Sequence, residues 1–275
     1  MKLAVIIPAA GSSSRYSASG GLRSKLDEDL GGRPVLQRAV ELFTKREEVS
    51  LIVVAGPGEP AAYDEFIIRH GDKLGLLGVR CCRGGLTHRY ETVKAAVDFL
   101  DKLAADKTPG ATGLTHIAVH DAARPCATEE LIDRVLRAAE KHAAVIPALD
   151  VPDTLKRVSA AALKQKEVDP FAAILGGAGL DTRNVRTVEA TVPRDNLVMV
   201  QTPQVFEWGL LQRAYAQPDL ASTDDAGLVE RLGEKVYVVE GDPRNIKITR
   251  PVDLHVARLL LKVGPPAERA AHKKF

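Results

Sequence analysis

The chain has little of what several classes of protein depend on. It carries three cysteines in 275 residues, too few for a disulfide framework, and Cys81, Cys82 and Cys126 lack the C-x-x-C spacing of a metal site. They read as reduced, mostly buried small side chains. Aromatics make up 4% of the sequence, and no basic block is interleaved with them, so the stacking platforms that single-stranded nucleic acid needs are missing. An excess of one charge is missing too. Against 38 Lys and Arg stand 36 Asp and Glu, a net charge of +2, which argues against a general nucleic-acid coat. The longest apolar runs, such as 3–8 and 51–55, have strand length and fall far short of a membrane span. Met1-Lys2 leads straight into the first of them with no room for a signal peptide, so a cytoplasmic location is expected. No G-x-G-x-x-G, Walker ending or G-x-S-x-G occurs, and the seven histidines show no metal-ligand spacing.

What is present is a regular alternation of short apolar runs with helical patterns, the signature of a parallel sheet covered on both faces. Strands are expected at 3–8, 51–55, 79–82, 117–120, 144–148, 198–201 and 236–240. Helices are expected at 34–44, 61–74, 90–103, 129–141, 205–216, 224–232 and 251–263. Thr128 and Ser222 stand where each can cap the helix that follows, and Thr249 can cap the last one. The stretch 154–191 breaks the alternation. A long structureless loop is improbable in a compact domain, so 154–158 and 186–192, both β-favouring, are expected to pair as two sides of a projecting arm. The tail over 264–275 is expected to fray.

In a doubly wound sheet, ligands bind at the carboxyl ends of the strands. The first strand ends in Pro8-Ala9-Ala10-Gly11-Ser12-Ser13-Ser14-Arg15 and the chain then reaches Lys25. Small residues there let backbone N–H groups approach anionic oxygens while Arg15 and Lys25 supply full charge, an arrangement suited to a polyphosphate. Other strand ends lead to Gly84-Gly85 with Arg89 and Thr92, to His120-Asp121-Ala122-Ala123-Arg124-Pro125, and to Asp242, Arg244, Asn245 and Lys247. Singly, each has an ordinary reading: Asp121 as a turn residue, Arg124 as a surface cation, Thr223-Asp224-Asp225 as a helix start, Lys247 as an outward strand lysine.

Together these motifs resemble the cytidylyltransferases that make 4-diphosphocytidyl-2-C-methyl-D-erythritol in the non-mevalonate isoprenoid pathway. The resemblance spans about residues 2–262. It rests on Pro8-Ala9-Ala10-Gly11 with Arg15, Gly84-Gly85 with Arg89 and Thr92-Val93, Val119-His120-Asp121-Ala122-Ala123-Arg124-Pro125, and Asp153-Thr154-Leu155-Lys156-Arg157. Gln201-Thr202-Pro203-Gln204, Thr223-Asp224-Asp225-Ala226 and Asn245-Ile246-Lys247-Ile248-Thr249 complete it in the family's order.

The resemblance implies an α/β, Rossmann-like, doubly wound and mostly parallel sheet, a single nucleotidyltransferase domain over 1–263 with 154–194 as a projecting β-arm. It implies transfer of CMP from CTP, with Mg²⁺, to 2-C-methyl-D-erythritol 4-phosphate, or to ribitol 5-phosphate in a near relative; a non-catalytic nucleotide binder is the other alternative. Arg15, Lys25 and Lys247 match catalytic cations. Ala9, Ala10, Gly11, Ser12, Ser13, Ser14, Gly84, Gly85, Arg89 and Thr92 match the nucleotide site. Asp121, Arg124, Thr154, Arg194 and Thr223 match the acceptor site, with Mg²⁺ held mainly by the triphosphate and Asp121 a candidate contact to it. The partners implied are small molecules and a second copy joined through the arm, which carries Arg194 across the dimer. The chain departs from the family in Ser24-Lys25-Leu26, where Pro-Lys-Gln is usual, in the run Ser12-Ser13-Ser14, and in a longer arm around 160–181.

Overall fold

The computed structural model describes residues 1–11, 13–21, 23–160 and 185–264. By its contacts the chain divides into two compact units, Met1–Leu149 with Val200–Phe275, and Asp150–Met199.

The first unit is built on strands β1 (Leu3–Pro8), β2 (Val49–Gly56), β3 (Arg80–Arg83), β4 (His116–Val119), β5 (Ala144–Asp150), β9 (Gln204–Glu207) and β10 (Tyr237–Glu240). They lie in the order β10-β5-β9-β4-β1-β2-β3. All pairings are parallel except those of β9, which runs antiparallel to β4 and β5. Helices α1 (Ser14–Ala18), α2 (Val35–Glu41), α3 (Pro60–Leu76), α4 (Arg89–Ala105), α5 (Glu129–Ala139), α6 (Trp208–Tyr215), α7 (Ala226–Arg231) and α8 (Pro251–Leu260) connect them. Among the described residues no helix is long and apolar enough to cross a membrane.

Side chains of a strand alternate between faces, so a strand buried on both sides must be apolar throughout. β1 obeys this: Leu3, Val5 and Ile7 join one core with residues of α2, α5 and α8, while Ala4 and Ile6 join the other with residues of α4, α6 and α7. Residues 3–7 have no exposed surface at all, and each of the larger side chains contributes about 1.5–3 kcal/mol by leaving water.

The expected strands and helices are present, with one correction. The pattern over 205–216 reads as one helix, but Gln204–Glu207 forms β9 and α6 begins at Trp208. The reason is tertiary. Val205 faces one core and Phe206 the other, a two-residue alternation that is filled only because β4 and β5 leave a slot between them.

Helix starts differ too. Thr128 caps α5, accepting from the Leu131 N–H at 3.3 Å. Ser222 does not cap α7; its hydroxyl donates to the Asp224 carbonyl, while the side chains of Asp224 and Gln204 accept from Gly227 and Ala226. At α8 the roles are reversed, with Asp253 accepting from the Thr249 N–H and hydroxyl and from the Arg250 N–H.

In the second unit, β6 (Leu155–Val158) and β7 (Val188–Val192) pair antiparallel, with Leu155 opposite Val192 and a register shift after Arg157, and the short strand β8 (Val198–Val200) follows at the boundary of the two units. The Lys156 ammonium donates to the Thr191 hydroxyl across the pair. These are the two β-favouring segments of the expected arm. Most of its additional stretch around 160–181, and nearly all of the tail over 264–275, lie outside the described residues.

Candidate active site

The carboxyl ends of β1, β3 and β4 open into a cavity of about 440 Å³ lined by Ala9, Ala10, Gly11, Arg15, Lys25, Gly85, Arg89, Thr92, Asp121 and Lys247. Ten residues singled out by sequence thus meet in one place. Leu86, Thr87 and His88 line it as well; they follow Gly84-Gly85 directly, and the strand-end rule would have included them. A smaller cavity, about 180 Å³, is lined by Gly11, Ser13, Ser14, Arg15 and Lys25. Ser12 lies outside the described residues.

Local structure explains the shape. Ala9 ends β1 with its N–H on the Ala55 carbonyl at 2.7 Å, and Ser13 turns the chain with a φ of 55° before α1 places Arg15. Gly84 sits against β2, its N–H 2.9 Å from the Gly56 carbonyl. A Cβ there would lie 2.5 Å from that same oxygen and 2.7 Å from Thr92 Cγ2, so only glycine allows this approach. The Thr92 hydroxyl accepts from the Gly85 N–H at 3.2 Å, and Glu91 accepts from the N–H groups of Thr87 and His88 at the start of α4.

Asp121 is the electrostatic centre. Its carboxylate meets Lys247 at 2.8 Å, Arg89 at 3.3 Å and Arg124 at 3.5 Å. Burial pushes its pKa up, but Arg89, Lys247 and Arg124 outweigh that and hold the carboxyl well below the usual carboxylate range. Arg89 also reaches Asp225 at 2.7 Å, and Tyr215 donates to the other oxygen of Asp225 at 2.5 Å. Burial disfavours the charged guanidinium, yet the two carboxylates raise the Arg89 pKa above its ordinary value. By sequence Asp225 reads as part of a helix start; in the fold it is fully buried. Its partner is 136 positions away, and nothing local could have announced it.

Two polar side chains hold the strand ends in register. Gln201 donates to the Asp242 carbonyl and accepts from the Asp242 N–H, while Asn245 donates to the Thr202 carbonyl at 2.8 Å. With the Ile248 N–H on the Ala123 carbonyl, these bonds carry Lys247 to Asp121. Arg124 donates to the Asn245 carbonyl at 2.6 Å and is not among the cavity's lining residues. Thr223 is exposed and is not among them either. Thr154 and Arg194 belong to the second unit, where Arg194 donates to the Pro152 carbonyl.

Four cations, Arg15, Lys25, Arg89 and Lys247, face a single carboxylate in the cavity lining. Lys25 shows the strain of this surplus: burial pushes its pKa below the usual lysine value, Lys247 and Arg15 push the same way, and Asp121 only partly offsets them. Such a site is complete when an anion of several charges enters. Among the described residues no group of three His, Cys, Asp or Glu could hold an ion, and both oxygens of Asp121 meet cations.

A family model described as "IspD: 2-C-methyl-D-erythritol 4-phosphate cytidylyltransferase" matches residues 3–170 and 178–263. The chain belongs to this family. The 2-C-methyl-D-erythritol 4-phosphate cytidylyltransferase of Frankia casuarinae is 37% identical over 270 residues, covering 98% of this chain and 85% of the relative. That of Symbiobacterium thermophilum is 37% identical over 263 residues, covering 94% and 93%. The crystal structure of the Thermus thermophilus enzyme superposes with a TM-score of 0.64 at 30% identity, covering 96% of this chain and all of that one. As a member of the IspD family the chain is a nucleotidyltransferase, and its mostly parallel sheet with flanking helices is that family's fold.

Proposed function

We propose that this chain transfers CMP from CTP to 2-C-methyl-D-erythritol 4-phosphate, releasing pyrophosphate. The observation that carries the reading is the cavity at the ends of β1, β3 and β4, where Arg15, Lys25 and Lys247 meet Asp121, set within a chain of the IspD family. An oxygen of the acceptor phosphate attacks the α-phosphorus of CTP in line. The bond from that phosphorus to the bridging oxygen breaks, and pyrophosphate leaves with the electron pair. Such a transfer asks for positioning and charge neutralisation rather than a protein nucleophile.

In this reading the backbone of Ala10, Gly11, Ser13 and Ser14 cradles the phosphates, and Arg15 and Lys25 stabilise charge on the α-phosphate and the leaving pyrophosphate. Rigid surfaces at Ala9, Gly84, Gly85 and Thr92 select cytosine. Asp121 orders the cations more than it binds them one at a time, and Lys247 lies between it and the acceptor phosphate. Mg²⁺ is carried in on the triphosphate. Arg124 and Thr223 serve the acceptor site, with Arg194 supplied by a second copy joined through the β6–β7 arm.

The test is pyrophosphate release on mixing CTP, Mg²⁺ and either 2-C-methyl-D-erythritol 4-phosphate or ribitol 5-phosphate, for the wild type and Lys25→Ala. Turnover with the first acceptor that collapses in the variant is expected. Faster turnover with ribitol 5-phosphate reassigns the acceptor, and none with either leaves a nucleotide binder.

A further inference from the structure

We infer that the Asp27–His70 joint is a positioning device for Lys25, holding the turn that carries this lysine at the height the phosphates require. The inference rests on the catalytic reading of Lys25 given above. Lys25 and Leu26 are the central residues of a turn closed by the Asp27 N–H on the Ser24 carbonyl at 2.9 Å. No proline restricts the backbone of this turn, and the ammonium it presents is repelled by Lys247 and Arg15. A repelled side chain on an unrestricted turn needs anchorage from elsewhere.

That anchorage is visible. Leu26 is 6% exposed and packs in the core, and its carbonyl accepts from the Leu36 N–H at 3.2 Å. The Asp27 carboxylate accepts from His70 Nε2 at 2.7 Å and from Arg69 Nη1 at 2.7 Å. Arg69 is half exposed and shared with Glu65, so it can swing in solvent. His70 cannot. It is buried, its ring lies 5.0 Å from that of Phe66, and Phe66 is itself part of the core. The hydrogen bond from His70 also keeps Asp27 ionised, its pKa below the ordinary carboxylate value despite burial. One end of the catalytic turn is therefore tied to the middle of α3, a helix set against the sheet by Phe66 and Leu74.

A structural ion pair and a positioning joint make different predictions once Lys25 is removed. Asp27→Asn and His70→Leu are each expected to lower kcat for pyrophosphate release about 10- to 100-fold, the scale of a misplacement near 1 Å. In a Lys25→Ala background neither should lower it further. His70→Gln, which keeps an N–H donor, should retain more activity than His70→Leu. Circular dichroism at the assay temperature confirms that each variant is folded. The inference is overturned if Asp27→Asn lowers the melting temperature and leaves kcat intact, or if the losses are the same with and without Lys25. Should the wild type release no pyrophosphate, the proposed function fails, and the joint is judged by the same cycle on binding of inorganic tripolyphosphate. There, Asp27→Asn must weaken binding only while Lys25 is present.

Discussion

Replacing Asp225 by Asn tests whether the buried ion pairs behind the cavity hold the fold together. The substitution keeps the volume and an oxygen that can accept from Tyr215, but it removes the charge facing Arg89 and turns an N–H₂ toward a guanidinium that already donates. Breaking a buried pair by deleting one partner costs about 3–5 kcal/mol, because the remaining charge stays out of water. Here Asp225 is fully buried while the Arg89 side chain is 25% exposed and keeps Asp121, which sets the expectation at the lower end, about 3 kcal/mol. For a chain of this size that corresponds to a fall in melting temperature of roughly 6–12 °C. Urea unfolding followed by circular dichroism measures it, with Tyr215→Phe as the control that removes only a hydrogen bond to the carboxylate, expected at about 1.5 kcal/mol, the lower end for a bond to a charged group. If the cost comes from an orphaned cation, Arg89→Met in the Asp225→Asn background should recover part of the stability, Asp121 retaining Arg124 and Lys247. A loss below about 1 kcal/mol for Asp225→Asn, or a double variant as unstable as the two single losses added, refutes the reasoning.

Other outcomes follow from the same geometry. Lys25→Ala should cut turnover about 10²–10³-fold, the usual effect of deleting one preorganised donor at a developing charge, measured by pyrophosphate release with saturating substrates. Since the Lys25 pKa is depressed in the empty site and a bound triphosphate must raise it, CTP affinity should fall as pH rises through the empty-site value, below 10.5, and Lys25→Met should abolish this dependence. The stability effect has the opposite direction: between the folded and unfolded pKa values the unfolded chain binds more protons, so the penalty for a charged Lys25 is full below the folded-state value and is relieved as pH rises through it. Gly84→Ala places a methyl 2.5 Å from the Gly56 carbonyl; it should weaken CTP binding measured by calorimetry through displacement of the Gly85 backbone, while Gly11→Ala, with open space at its Cβ, should not distort the fold.

Much of this molecule could be read from the chain because the physics concerned is local. Residues 3–7 are apolar without a break, which only a strand covered on both faces requires, and the small residues after Pro8 mark a loop meant to be approached closely. Where reading failed, the deciding partner was distant. Val205 and Phe206 suit a helix as well as a strand, and the slot between β4 and β5 chose the strand. Asp225 looked like a helix start because helix starts are acidic, and only the fold brings Arg89 to it. Gln201 and Asn245 stood within recognised motifs, yet their work, carrying Lys247 to Asp121, depends on bonds across more than 40 positions. The most instructive case is charge. A net of +2 over 275 residues hides a cavity in which four cations line up against one carboxylate. Composition excludes a nucleic-acid coat and says nothing of this site, because what binds a triphosphate is the local surplus, and that surplus exists only once the ends of β1, β3 and β4, the loop after β10 and a clamped turn are brought to the same place.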